Sequence, residues 1–247
     1  MHLEKLLQNY STKMITKSLF FLITISFCFS NFDNEKLIYD INFKRFNAGE
    51  ARFETKIDTL TNQAVYKITS TTKTNKFLDK FYKIRDMINL WVDYEDLSLL
   101  KAKKNINQGN YKKKHNIAIN YKKSKAIFNN KEININSKVY DPISAIFFYR
   151  TLDFSKIQDY SFTSFENGKL KDISIKVYKT EIIKNSLGQF ECYVLRPFSK
   201  DGKPIFKNKG QMTIWISKNE KLPIKIEQNT SVGKLTMNLK NIFIQKN

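Results

Sequence analysis

The sequence predicts an all-β fold, mainly antiparallel: a strongly curved sheet or incomplete β-barrel, a roll, with one short helix. Three observations point there. Short runs of β-branched and aromatic residues alternate with polar ones at period two along most of the chain, the signature of half-buried strands. One segment alone, around Asp141-Pro142, carries helix-start chemistry. With 7 Gly and 4 Pro in 247 residues there is no linker tract to divide the chain, so about a dozen strands belong to one domain. That many antiparallel strands do not stay flat and open, because twist and unpaired edges drive them to curl or close.

The elements follow in order. Leu37, Tyr39, Ile41 and Phe43 alternate, Asn47-Ala48-Gly49 interrupts, and Ala51, Phe53 and Ile57 resume, which reads as a first hairpin. Val65 to Ser70 and Ile84 to Val92 follow, the second closed by a turn over Asp93 to Ser98. Lys101 to Asn105, Lys112 to Asn120, Ser124 to Asn129 and Lys131 to Ile135 are further strands, the last two joined at Asn129-Asn130. A helical turn is expected over Lys76 to Phe81. Asp141 is placed to cap a helix and Pro142 to occupy its first position, where a missing N–H costs nothing; Ile143, Ile146, Phe147 and Tyr149 give it one buried face through Arg150. Beyond it come Gln158 to Phe165, Lys169 to Tyr178, Thr180 to Asn185, Phe190 to Phe198, Gln211 to Ser217, Leu222 to Gln228 and Lys234 to Phe243.

The N-terminus reads as an address. Leu19 to Phe29 is an apolar run preceded by Lys13 and Lys17, about half the length that a ~30 Å hydrocarbon core requires, and it matches the apolar region of a secretory signal. Cys28 and Ser30 stand at the −3 and −1 positions of a cut after Ser30. Residues 1–30 are therefore expected to be a signal peptide and 31–247 the domain, exported to the periplasm or outer envelope. Retention as an anchor and lipid attachment at Cys28 are the alternatives; Phe27 stands where lipoprotein signals carry a small residue.

Lys and Arg number 43 against 23 Asp and Glu, a net charge of +20; removal of residues 1–30 lowers it by two, to +18. Such an excess draws a protein toward anionic surfaces, and peripheral contact with an anionic membrane surface is expected. The densest cluster, Lys101 to Lys125, interleaves with Tyr111, His115 and Tyr121 but holds no Arg, the preferred residue for bidentate phosphate contacts. It reads as a solvated hairpin face, and no nucleic-acid partner is expected.

Catalytic chemistry finds little to use. His115 is the one histidine beyond residue 30, so neither a two-histidine metal site nor a serine triad with a histidine to spare can be assembled. No Gly-x-Ser-x-Gly and no Gly-rich phosphate loop occurs. Cys192, between apolar neighbours, reads as a small buried residue and not a nucleophile. No enzyme activity, metal or cofactor is expected.

Tyr39 to Glu54, Phe81 to Asp86, Asp141 to Ala145 with Tyr149-Arg150, Cys192 with Pro197, and Ile214 to Ser217 before Leu222 to Ile226 together resemble the domain of unknown function 3108 family, in order and spacing, over nearly the whole chain beyond residue 30. The resemblance implies an exported envelope protein of Gram-negative bacteria with a rolled antiparallel sheet; it implies no activity. Among the matched residues, Gly49 is expected to allow a close backbone approach or bulge. Arg150, on the helix beside Ile146 and Phe147, needs a carboxylate, and Asp86 is the candidate for a structural pair. Trp91, Phe147 and Trp215 are expected to line an apolar groove inside the roll. The function expected is a binding or carrier module for a lipid or other amphiphile, with a structural or assembly factor of filled core as the alternative.

Overall fold

The computed structural model describes residues 32–157, 159–200, 210–230 and 233–245. The chain divides into two compact units, Met1–Ser30 and Asn31–Asn247, and every described strand belongs to the second; the expected signal segment lies outside the described residues. Fifteen strands form one sheet: β1 (Glu35–Phe43), β2 (Phe46–Leu60), β3 (Gln63–Thr74), β4 (Arg85–Asp93), β5 (Leu99–Gln108), β6 (Tyr111–Asn120), β7 (Lys125–Phe128), β8 (Lys131–Asn134), β9 (Val139–Tyr140), β10 (Asp159–Glu166), β11 (Lys169–Asn185), β12 (Gly188–Ser199), β13 (Met212–Ser217), β14 (Pro223–Thr230) and β15 (Gly233–Ile244). Among the described residues one α-helix, α1 (Pro142–Thr151), interrupts them, and a 3-10 turn covers Leu78–Lys80.

The order across the sheet is β8 to β1, then β15 to β9. Every neighbour is a sequence neighbour except β1 and β15, which lie side by side antiparallel. The all-β expectation holds, with one parallel pair, β9 with β10. The hydrogen-bonded ladder does not close, yet its two edge strands, β8 and β9, are joined by only residues 135–138. A chain that short spans roughly 18 Å at most, so the sheet must roll until its edges face each other. Side chains bridge the seam. Phe128 of β7 meets Phe165 of β10 edge-on at 6.5 Å, and Ser137 Oγ donates to Thr163 Oγ1 at 3.1 Å. Tyr121 Oη donates to Leu99 O at 2.8 Å and accepts from Val139 N at 3.3 Å.

Alternation sets the inner face. Along β1, Glu35, Leu37, Tyr39 and Ile41 are buried while the residues between them are half-exposed. Bulges at Ile38/Tyr39, Ile41/Asn42, Trp91/Val92 and Trp215/Ile216 add local twist where the roll bends. Gly49, beside the second of these, lies so close to β3 that a Cβ would stand 2.1 Å from Lys73 O, which is the close approach expected of it. The segments expected as Lys169 to Tyr178 and Thr180 to Asn185 are one strand, β11, with a register shift between Val177 and Lys179 that breaks the alternation.

Helix α1 starts as its sequence predicts. The Asp141 side chain accepts from Ile143 N at 3.0 Å, Ser144 Oγ accepts from Asp141 N at 3.0 Å, and Pro142 holds the first turn. Its burial differs from the one-faced helix expected. Ser144 through Arg150 are all buried, because the roll surrounds the helix and leaves no solvent side. α1 is a plug inside the sheet.

Candidate functional site

Two buried ion pairs hold the plug by its ends. At the start of α1, the Asp141 carboxylate pairs with Lys104 of β5, both almost fully buried. At its end, Arg150 Nη1 and Nη2 donate to Glu35 Oε1 and Oε2 of β1, each at 2.6 Å, and Nε donates to Lys221 O at 2.8 Å. The guanidinium also lies 4.6 Å from the Phe32 ring centre and 5.3 Å from that of Phe147. This corrects the expected Asp86–Arg150 pair. Asp86 instead accepts from Asn107 N at 2.8 Å and Gln108 Nε2 at 2.5 Å across the neighbouring strand. It also corrects the reading of the Lys101 to Lys125 stretch as wholly solvated, since Lys104 points inward in phase with Ala102.

The three residues expected to line a groove are not brought together. Trp91 lies on the face of β4 opposite Leu90 and Val92. Its Nε1 donates to Asp58 Oδ2 at 3.0 Å, and Lys67 and Lys101 sit about its ring at 5.1 and 5.0 Å. Trp215 is buried on the face of β13 opposite Ile214, where its Nε1 donates to Glu181 Oε2 at 3.3 Å and Lys225 lies 4.3 Å over the ring. Phe147 is packed edge-on between Phe32 at 5.7 Å and Phe53 at 5.9 Å. It belongs to the contact between plug and wall.

Among the described residues, a cleft of about 160 Å³ lies between α1 and strands β10 to β14. Ala145, Ile146 and Tyr149 of the helix face Phe162, Ile173, Pro197, Met212 and Ile214, and Ser164, Glu166, Lys171 and Gln228 supply the polar members of the lining. Lys171 and Glu166 stand 3.7 Å apart. Burial alone pushes the Tyr149 hydroxyl far above its ordinary range, so that edge of the cleft stays uncharged. The signal that could have found this lining is the inward phase of Ile173 and Ile214, read together with the helix residues four apart, Ala145 and Tyr149.

Reactive groups lie elsewhere. The Cys192 thiol is pushed up to about 12, by burial first and then by the charges of Glu220, Glu181 and Glu191, and its Sγ donates to Phe190 O at 3.6 Å. His115 stacks on Phe128 at 5.1 Å and is held below its usual value by burial and by the nearby Lys104 and Lys113. Among the described residues no group of three or more His, Cys, Asp or Glu is placed to hold a metal ion. No described helix is long and apolar enough to cross a membrane.

A rolled, incompletely closed sheet with a helix pinned inside it defines the class: a β-barrel-like protein with a plugged interior. The chain belongs to DUF3108, a family of proteins of unknown function, whose sequence pattern it matches over residues 38–240. None of the curated proteins matches it. Among solved structures it is similar to a β-barrel-like protein of domain of unknown function DUF1849 from Brucella abortus, with TM-score 0.59 and 11% identity over 86% of this chain and 98% of that one. That likeness is one of fold. A protein with a YmcC-like fold from Bacteroides fragilis matches more loosely, with TM-score 0.31 and 9% identity over 85% of this chain and 96% of that one.

Proposed function

We propose that this protein is a non-enzymatic, exported component of the cell envelope, of the filled-core kind, which acts through its outer surface and not through an interior hollow. The burial of seven consecutive helix residues, Ser144 to Arg150, inside the roll carries this reading. A carrier of whole lipid chains needs a pocket in the usual range of about 300–1,000 Å³. The cleft of about 160 Å³ is close to the ~150 Å³ of an apolar cavity that takes one benzene-sized molecule. The apolar leader-like run before residue 31 supports export, and the Cys192 thiol, pushed up to about 12 by burial, supports the absence of catalysis by that group.

A second reading, capture of a short apolar tail, is favoured by the apolar walls of that cleft. Titration with a fluorescent long-chain fatty acid separates the two. The filled-core reading predicts no saturable one-to-one uptake. Saturable one-to-one uptake that Ala145→Phe abolishes would establish the cleft as a binding site and overturn it.

A further inference from the structure

In an antiparallel meander every second connection falls at the same end, so the β1–β2, β3–β4 and β5–β6 connections share one rim of the roll. They are fastened to each other. Asn75 Nδ2 donates to Asn47 O at 2.6 Å, Gly109 N donates to Lys83 O at 2.8 Å, and Tyr82 packs over Gly109 so closely that a Cβ there would stand 2.8 Å from its ring. On this platform five aromatics stand in water: Phe46 at 77% exposure, Phe77 at 67%, Phe81 at 74%, Tyr82 at 51% and Tyr111 at 52%. Phe77 and Phe81 meet each other edge-on at 5.6 Å and are otherwise uncovered.

Cations stand beside them in the chain. Lys44, Arg45, Lys76, Lys80, Lys83 and Lys112 are all exposed, and no ion pair among the described residues engages any of them. The one acid within these connections, Asp79, is already taken by Arg85 Nη1 at 3.0 Å and by the Thr74 hydroxyl at 2.5 Å. The rim therefore presents protruding aromatics together with exposed lysines and an arginine that outnumber its acids. A soluble protein rarely leaves large apolar side chains grouped in this way without a partner.

We propose that this rim is a docking surface for an anionic phospholipid bilayer. Aromatic side chains settle at the headgroup level of a bilayer, and lysines and arginines beside them are drawn to anionic headgroups. Neither signal alone gives stable attachment, and together they do. The fold keeps both on one fastened edge. The inference rests on the reading of the molecule as one that works through its surface and names the partner; it uses none of the cleft residues. If it fails, the filled-core reading and its expectation of no fatty-acid uptake are untouched.

The test uses the full chain carrying Phe77→Trp, mixed with vesicles of brominated phosphatidylcholine containing phosphatidylglycerol. The expected result is quenching of the emission well beyond that of the unsubstituted chain, weakening at high salt. Vesicles without phosphatidylglycerol should quench at least tenfold less efficiently. Lys76→Glu/Lys80→Glu/Lys83→Glu should abolish the added quenching, while Lys56→Glu/Lys122→Glu/Lys123→Glu, with the same charge change away from the rim, should keep it. All of these lysines are exposed, so circular dichroism should show each variant folded. No added quenching in the Phe77→Trp chain, or equal loss in both charge variants, would overturn the proposal. Retention on heparin without quenching would overturn it in favour of an acidic glycan.

Discussion

Replacing Arg150 by methionine is expected to lower the unfolding free energy by about 3–5 kcal/mol, the usual cost of leaving one member of a buried ion pair without its partner. The surroundings of the pair explain why the cost falls in that range. Glu35 is 4% exposed and both its oxygens accept from Arg150, so the variant leaves a buried carboxylate in the wall of the roll without its paired cation. Lys221 O loses its donor at the same time, and the stacking against Phe32 and Phe147 goes with it. The pair Glu35→Leu/Arg150→Met should recover a large part of the loss, because no charge is then buried. Urea unfolding measures both, as a fall in midpoint at unchanged slope. A single variant within about 1 kcal/mol of the parent would mean that water reaches the pair and the plug is not held there.

Gly49→Ala is the second large effect, about 3 kcal/mol by the cost of forcing extra atoms into a packed site. A Cβ would lie 2.1 Å from Lys73 O, 2.8 Å from Thr74 Cα and 3.0 Å from Lys73 C. All three are backbone atoms, so no rotamer change relieves the clash, and β2 and β3 must part where Gly49 faces Thr74. The same movement disturbs Asn75 N, which donates to Ala48 O at 3.0 Å, and so loosens the rim. Thermal unfolding of the variant should shift downward by several degrees; an unchanged midpoint would show that the two strands separate at no cost.

Most of the sheet is legible because its signal is local. Period-two burial along β1 and β2 follows from each residue and its second neighbour, and Asp141-Pro142 announces a helix start within two residues. β11 reads as two strands, Lys169 to Tyr178 and Thr180 to Asn185, because the bulge at Tyr178 shifts the alternation there. The all-round burial of α1 is not legible. Ser144 and Ala145 on its other side resemble a solvent face, and only the enclosing strands, distant in sequence, make them interior.

The site escapes a sequence reading for the same physical reason. Arg150 announces its need for a carboxylate, but its partner lies 115 positions away on β1. Phase holds the missing clue: Glu35 is in step with Leu37, Tyr39 and Ile41, so a carboxylate is directed inward at the opening of the first strand. Lys104 is in step with Ala102 in the same way, and Trp91 is out of step with Leu90 and Val92, which already places its ring on the other face.

Amide hydrogen exchange at α1 tests most directly whether the helix is a permanent filling of the roll. If it is, the amides of Ala145 to Arg150 exchange as slowly as those of β1 and β2, through global unfolding alone. Exchange far faster than in those strands, slowed again when a long-chain fatty acid is added, would show a helix that leaves the roll to admit a ligand, and would contradict the account.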